Sequence, residues 1–199
     1  MENSKKIKVA EKTTNTEPTE RQKVSGNYKK GKVILKGLKV TIESPQGSIR
    51  SGVDGNGEAW STEMLFTYGY FNGTVGKDGD AIDVYLGPDI DGDFDVYIVD
   101  QVQEVSRAFD EHKVMFGFKD EKSAKEAYLS CYTAGWTGFQ NITTVSLSKF
   151  KKWLKNKDAI KYPAKRLSMS SKIDYKNSES SYGVIRMFGE VLEGETLKD

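Results

Sequence analysis

Lys113-Val114-Met115-Phe116-Gly117-Phe118-Lys119-Asp120-Glu121 holds the change of pattern that decides the fold class. Up to Phe118 the run is apolar and rich in Val and Phe, which reads as a strand. Beyond it Asp120 is placed to cap a helix from Glu121 to Tyr132, with Ala124, Ala127, Tyr128 and Cys131 at helical spacing. Gly135-Trp136-Thr137-Gly138 interrupts the pattern. Ser146 or Ser148 then caps a second predicted helix to about Lys157, with Leu147, Phe150 and Leu154 on one face. Working back from Lys113, short strands are expected at Val33-Leu35, Lys39-Glu43, Leu65-Phe71, around Ile82-Leu86 and at Val96-Val99.

Strands first and helices after them predict an α+β fold. Short strands with glycine-rich connections predict a small OB-like antiparallel β-barrel, closed or curled, with flanking helices. Residues 1–25 are polar and poor in aromatics, so they are expected to form a flexible tail. A folded domain is expected over residues 26–160. Residues 161–199, rich in Ser and Lys, are expected to be a linker, an extension or the start of another module, which would make the chain a piece of something larger.

The 199 residues suffice for one domain with a core. Thirty basic against 29 acidic residues give a net charge of +1, and no global field draws the chain to nucleic acid or membrane; local clusters matter more than the total. Nucleic acid is therefore not an expected partner. No apolar stretch is long enough to span a bilayer, and the N-terminus lacks the apolar core of a secretory signal. One cysteine, Cys131, excludes an internal disulfide framework and fits a reducing, cytoplasmic setting. One histidine, His112, excludes a multi-histidine metal site.

The chemistry concentrates in Lys77-Asp78-Gly79-Asp80-Ala81-Ile82-Asp83-Val84. Carboxylates this close repel one another, and a cation relieves the repulsion. Aspartate oxygens are hard donors that suit Mg²⁺ or Mn²⁺, and Mg²⁺ commonly shares its shell with substrate phosphates. The plainer reading is an acidic turn, since Asp and Gly favour turns for local reasons. A second acidic loop, Asp89-Ile90-Asp91-Gly92-Asp93-Phe94-Asp95, lacks the glycine position and distal glutamate of an EF-hand and reads as a solvated turn.

Asp78-Gly79-Asp80-Ala81-Ile82-Asp83-Val84 resembles the signature of the family I soluble inorganic pyrophosphatases. Tyr68-Gly69-Tyr70-Phe71, Ile42-Glu43-Ser44-Pro45 with Ser48-Ile49-Arg50, Asp110-Glu111-His112-Lys113-Val114, and Phe150-Lys151 resemble further segments of that family in the same order. Gly47-Ser48-Ile49-Arg50-Ser51-Gly52, the run from Phe109 to Met115, and Gly135-Trp136 look closer to the pyrophosphatase-like domain of phage and mobile-element polyvalent proteins.

The resemblance implies hydrolysis of pyrophosphate or a related phosphoanhydride with Mg²⁺, or Mn²⁺ in its place. Asp78 and Asp83 would bind metal, with Asp110 or Glu111 adding a ligand: the register to Lys113 favours Glu111, the side-chain type Asp110. Asp80 would be the general base. Arg50, Lys113 and Lys151 would neutralise phosphate oxygens, Tyr68 would donate its hydroxyl, and Glu43 would support the site. Departures stand out: Ala81, Gly52 and Phe150 each replace a residue that the family uses. The resemblance also implies host-cytoplasmic or virion-associated placement, phage structural or processing proteins as partners, and the oligomeric habit of many family members. The competing readings are a hydrolase of a nucleotide or signalling polyphosphate, and a non-catalytic OB-like module.

Overall fold

In a computed structural model the described residues are 2–53 and 57–167. Helix α1 (Asn3–Lys12) and the short α2 (Glu20–Ser25) precede strands β1 (Gly31–Leu35), β2 (Leu38–Ser44), β3 (Ile49–Val53), β4 (Ala59–Glu63), β5 (Thr67–Phe71), β6 (Asp83–Leu86), β7 (Val96–Val102) and β8 (Phe109–Phe116). Then follow α3 (Glu121–Ser130), β9 (Phe139–Val145), α4 (Leu147–Lys155) and a 3₁₀ turn, Ala159–Lys161. The α+β class and the strand-to-helix switch after Phe118 stand. Asp120 caps α3 through Ser123, and Ser146 caps α4 through Lys149.

Seven strands form one sheet in the order β1-β2-β5-β6-β8-β7-β9, while β3 and β4 pair only with each other. The expected all-antiparallel pairing needs one correction. β6 and β8 run parallel, with Asp83 opposite Lys113. The pairings end at β1 and β9, and among the described residues none closes the sheet. The parallel pair arises because β7 follows β6 in sequence but lies beyond β8, so β8 returns between them.

Alternation sends the strands' side chains to two buried faces. Val40, Ile42, Val84, Leu86, Ile98, Val114 and Phe116 belong to one core, which α1 and α4 cover with Ile7, Ala10, Phe150, Trp153 and Leu154. Tyr68, Tyr85, Tyr97, Val99 and Met115 belong to the other, which α3 covers with Ala124, Ala127 and Tyr128.

The segment expected to be a flexible tail is in fact docked over part of its length. Ile7 and Ala10 of α1 are buried. Asn3 Nδ2 donates to Ile90 O at 3.0 Å, the Ser4 N–H donates to Asp91 at 3.2 Å, and Thr67 Oγ1 donates to Glu11. Polar clamps at both ends make up for a sparse apolar stripe. The acidic loop after β6 thus anchors α1.

The folded part also runs past 160: Ala164 is buried, and its N–H donates to Asp100. The rest of the expected extension, 168–199, lies outside the described residues. No helix among them is long and apolar enough to cross a membrane.

Candidate active site

The second face of the sheet gathers most of the predicted residues. Tyr70 pairs with Asp83, Asp83 with Lys113, and Lys113 with Val99, so three neighbouring strands bring β5, β6 and β8 side chains side by side. Gly69 permits this. A Cβ there would stand 2.0 Å from Thr41 O, so only glycine lets β5 lie this close to β2 between the two tyrosines.

Lys113 is the hub. It is 7% exposed, and each of its three ammonium protons has an acceptor. Its Nζ donates to Asp83 Oδ2 at 2.5 Å, Glu111 Oε2 at 2.7 Å and the Tyr68 hydroxyl at 3.2 Å. Burial works to lower its pKa, but its interactions with Tyr68, Asp83 and Glu111 outweigh that and hold it well above the ordinary lysine range. Burial pushes the Glu111 carboxyl up against the pull of Lys113, and Asp83 and Asp78 add to the push. Burial likewise raises the Tyr68 phenol.

Three residues that the sequence reading passed over complete this network. Gln101 Nε2 donates to Glu111 Oε1 at 2.9 Å, while the Tyr128 and Tyr132 hydroxyls both donate to Gln101 Oε1 at 3.0 Å. The amide is thereby fixed in one orientation and holds Glu111 toward Lys113. Gln101 continues the Tyr97, Val99 alternation of β7, and Tyr128 of α3 and Tyr132 just beyond it are four apart. Those two spacings were the available signal.

Arg50 reaches over from the β3–β4 hairpin. Its guanidinium carbon lies 4.8 Å from the Tyr68 ring centre and 5.5 Å from that of Trp60. Glu43 is paired to Lys30 at 2.5 Å, and Lys30 sits near the Tyr28 and Tyr70 rings. A cleft of about 420 Å³ opens between Arg50, Glu43 and the chain around Asn15–Pro18.

Asp78 and Asp80 lie in the β5–β6 loop and are exposed. The Asp78 side chain accepts the Asp80 N–H at 3.1 Å, and Gly79 has a φ of +94°, which suits glycine. Asp110 alternates away from Glu111 and Lys113, and its partner is Gln103 at a long 3.5 Å. Lys151 projects from α4, the helix covering the other core, and stands by Gly37 of the β1–β2 turn. The structure therefore places Glu111, and neither Asp110 nor Lys151, against Asp83 and Lys113.

A profile of the inorganic pyrophosphatase family matches residues 20–155. The chain belongs to that family. Among solved structures, an inorganic phosphatase from Anaplasma phagocytophilum aligns at 18% identity over 75% of this chain and 77% of its own, with a TM-score of 0.24. No curated protein matches. The family match spans α2 to α4 and so covers Glu43, Arg50, Tyr68, the Asp78–Asp83 loop, Glu111 and Lys113.

Members of the pyrophosphatase family are in general metal-dependent, and the oxygen donors here suit a hard divalent ion. Among the described residues no three acidic, His or Cys side chains converge into a ready-made cage. That is compatible with an ion that keeps waters and completes its shell with substrate phosphate. Glu111, raised by burial beside Asp83 and Asp78, is a carboxylate that a cation would relieve.

Proposed function

We propose that this chain hydrolyses inorganic pyrophosphate in a Mg²⁺-dependent reaction, with Mn²⁺ able to take the place of Mg²⁺. The observation that carries the reading is the Lys113 hub, which joins Asp83, Glu111 and Tyr68 in a chain of the pyrophosphatase family. Asp78, Asp83 and Glu111 would hold the ion. When bound, it supplies charge neutralisation and a water of lowered pKa.

The protein residues do the rest. Asp80, exposed in the loop beside Asp78, takes the proton of the attacking water. Lys113 and Arg50 neutralise phosphate oxygens, Arg50 with its planar fork and Lys113 as a point charge. Tyr68 stays protonated through the working pH range because burial raises its pKa, so its hydroxyl remains a donor. Glu43 acts through Lys30 as a support for the wall formed by Tyr28 and Tyr70. The likeness of Gly47–Gly52 and Phe109–Met115 to polyvalent-protein domains supports a phage-linked role, in host cytoplasm or with the virion.

Phosphate release from pyrophosphate, measured with and without chelator, tests this. Asp80→Asn is expected to lower the rate by about 10²–10⁴-fold while leaving the thermal midpoint unchanged, since Asp80 is exposed. Release that persists in the chelator, or in Asp80→Asn at the wild-type rate, would sink the reading.

A further inference from the structure

Lys151, absent from the carboxylate face, opens instead onto a groove of about 660 Å³. Five lysines line it: Lys39 of β2, Lys151 and Lys155 of α4, Lys157 of the next turn, and Lys161 at the end of the 3₁₀ turn. None of the five joins an ion pair among the described residues. Among the described residues no aspartate or glutamate lines the groove. With a net charge of only +1 for the whole chain, this excess is a local feature.

A charged helix face is ordinarily just solvated. Two facts argue for more here. The lysines come from several segments and converge on one concavity, which also takes in Asn72 and Thr74. Lys151 and Lys155 of α4 are four apart, a spacing at which like charges on a helix repel. A concave surface of one sign focuses its field and concentrates counter-ions.

The lining defines the ligand. Lysine ammoniums are point charges that accept phosphate oxygens without demanding a fixed geometry. Among the described residues the one aromatic side chain lining the groove, Phe71, is 1% exposed, so they offer bases no stacking face. One wall, Asn72 to Val75, belongs to the same loop that carries Asp78 and Asp80.

We propose that the groove binds linear inorganic polyphosphate, its phosphates lying along the lysines with one end toward the Asp78–Asp83 loop. Binding in the groove stands apart from the hydrolysis reading; only the direction of the bound chain draws on it.

The test is calorimetric titration of the full chain with a short linear polyphosphate, in chelator so that nothing is turned over. The wild type is expected to bind, and to bind more weakly as salt rises. Lys155→Glu with Lys157→Glu is expected to lose affinity by about tenfold or more, with pyrophosphate hydrolysis and the thermal midpoint unchanged. A matched-charge single-stranded oligonucleotide and an acidic peptide are expected to compete poorly. No binding at low salt, wild-type affinity in the double variant, or equal competition by the oligonucleotide or the peptide would each overturn the proposal. Failure of the pyrophosphatase reading would show in the Asp80→Asn assay and leave this titration untouched.

Discussion

Strand β8 carries two buried polar groups on opposite faces, and their surroundings differ. On one face Lys113 and Glu111 meet Asp83 and Tyr68, with every ammonium proton matched to an oxygen. On the other, His112 is 2% exposed between the Phe109 and Trp153 rings, with Nδ1 3.1 Å from Asp100 Oδ1. Among the described residues neither ring nitrogen has a hydrogen-bond partner. Asp100 is satisfied from elsewhere, by the N–H groups of Ala164 at 2.7 Å and Lys165 at 3.2 Å. The first group is an exchangeable ion network open to the site. The second is a clamp that ties the segment after α4 to the sheet. The two faces of the paired strands β7 and β8 thus separate the ion network from the clamp, because a strand's side chains alternate.

The comparison breaks most visibly at Lys113. Lys113→Met removes the ammonium that pairs with both Asp83 and Glu111 and leaves two carboxylates with side chains 18% and 20% exposed. Loss of one partner from a buried ion network costs about 3–5 kcal/mol. Urea unfolding is expected to show a loss in that range, accompanied by loss of phosphate release. An unchanged midpoint would mean that the carboxylates are hydrated well enough to need no lysine.

On the other face, Asp100→Ala strands the Ala164 and Lys165 N–H groups. A buried donor left without an acceptor costs about 1–3 kcal/mol, so a destabilisation of about 2 kcal/mol is expected by the same unfolding measurement. The rate per folded molecule should stay at the wild-type value. A drop in that rate at full folding would mean that the clamp positions Glu111 and Lys113, and that the two faces are not separate.

How much of this was legible follows from where the information lies. The strands from β5 to β8 show in the sequence because Val, Ile, Phe and Tyr are dense there, and α3 and α4 because Asp120 and Ser146 cap them. The placement of Asp110 and Glu111 was also within reach: period-two alternation from Lys113 puts Glu111 on the Lys113 face and Asp110 on the opposite one, as the hydrogen bonds have them. Helix α1 was hidden because only Ile7 and Ala10 are buried in it, and its docking depends on Asn3 and Glu11 finding partners 87 and 56 residues away. Strand β9 was missed because Gln140, Asn141, Thr143 and Thr144 mask its alternation. The parallel β6–β8 pair is a non-local choice, and no local pattern encodes it.

Lys151 gives the smallest expected effect and the sharpest distinction. Its place beside Phe150 made it a candidate phosphate ligand, and Phe150 is fully buried against Phe71, Phe116 and Trp153. A helix that buries Phe150 in that core turns the next residue along the rim, toward Gly37 and the lysine groove. Removing a preorganised charge that contacts the transition state costs about 10²–10³-fold in rate. Lys151→Ala is instead expected to keep kcat/KM for pyrophosphate within about twofold and stability within about 0.5 kcal/mol, as for surface changes in general. A hundredfold loss in kcat/KM would return Lys151 to the catalytic group and require α4 to approach the Asp78–Asp83 loop during turnover. The proposed division between carboxylate face and lysine groove would then fail at its boundary.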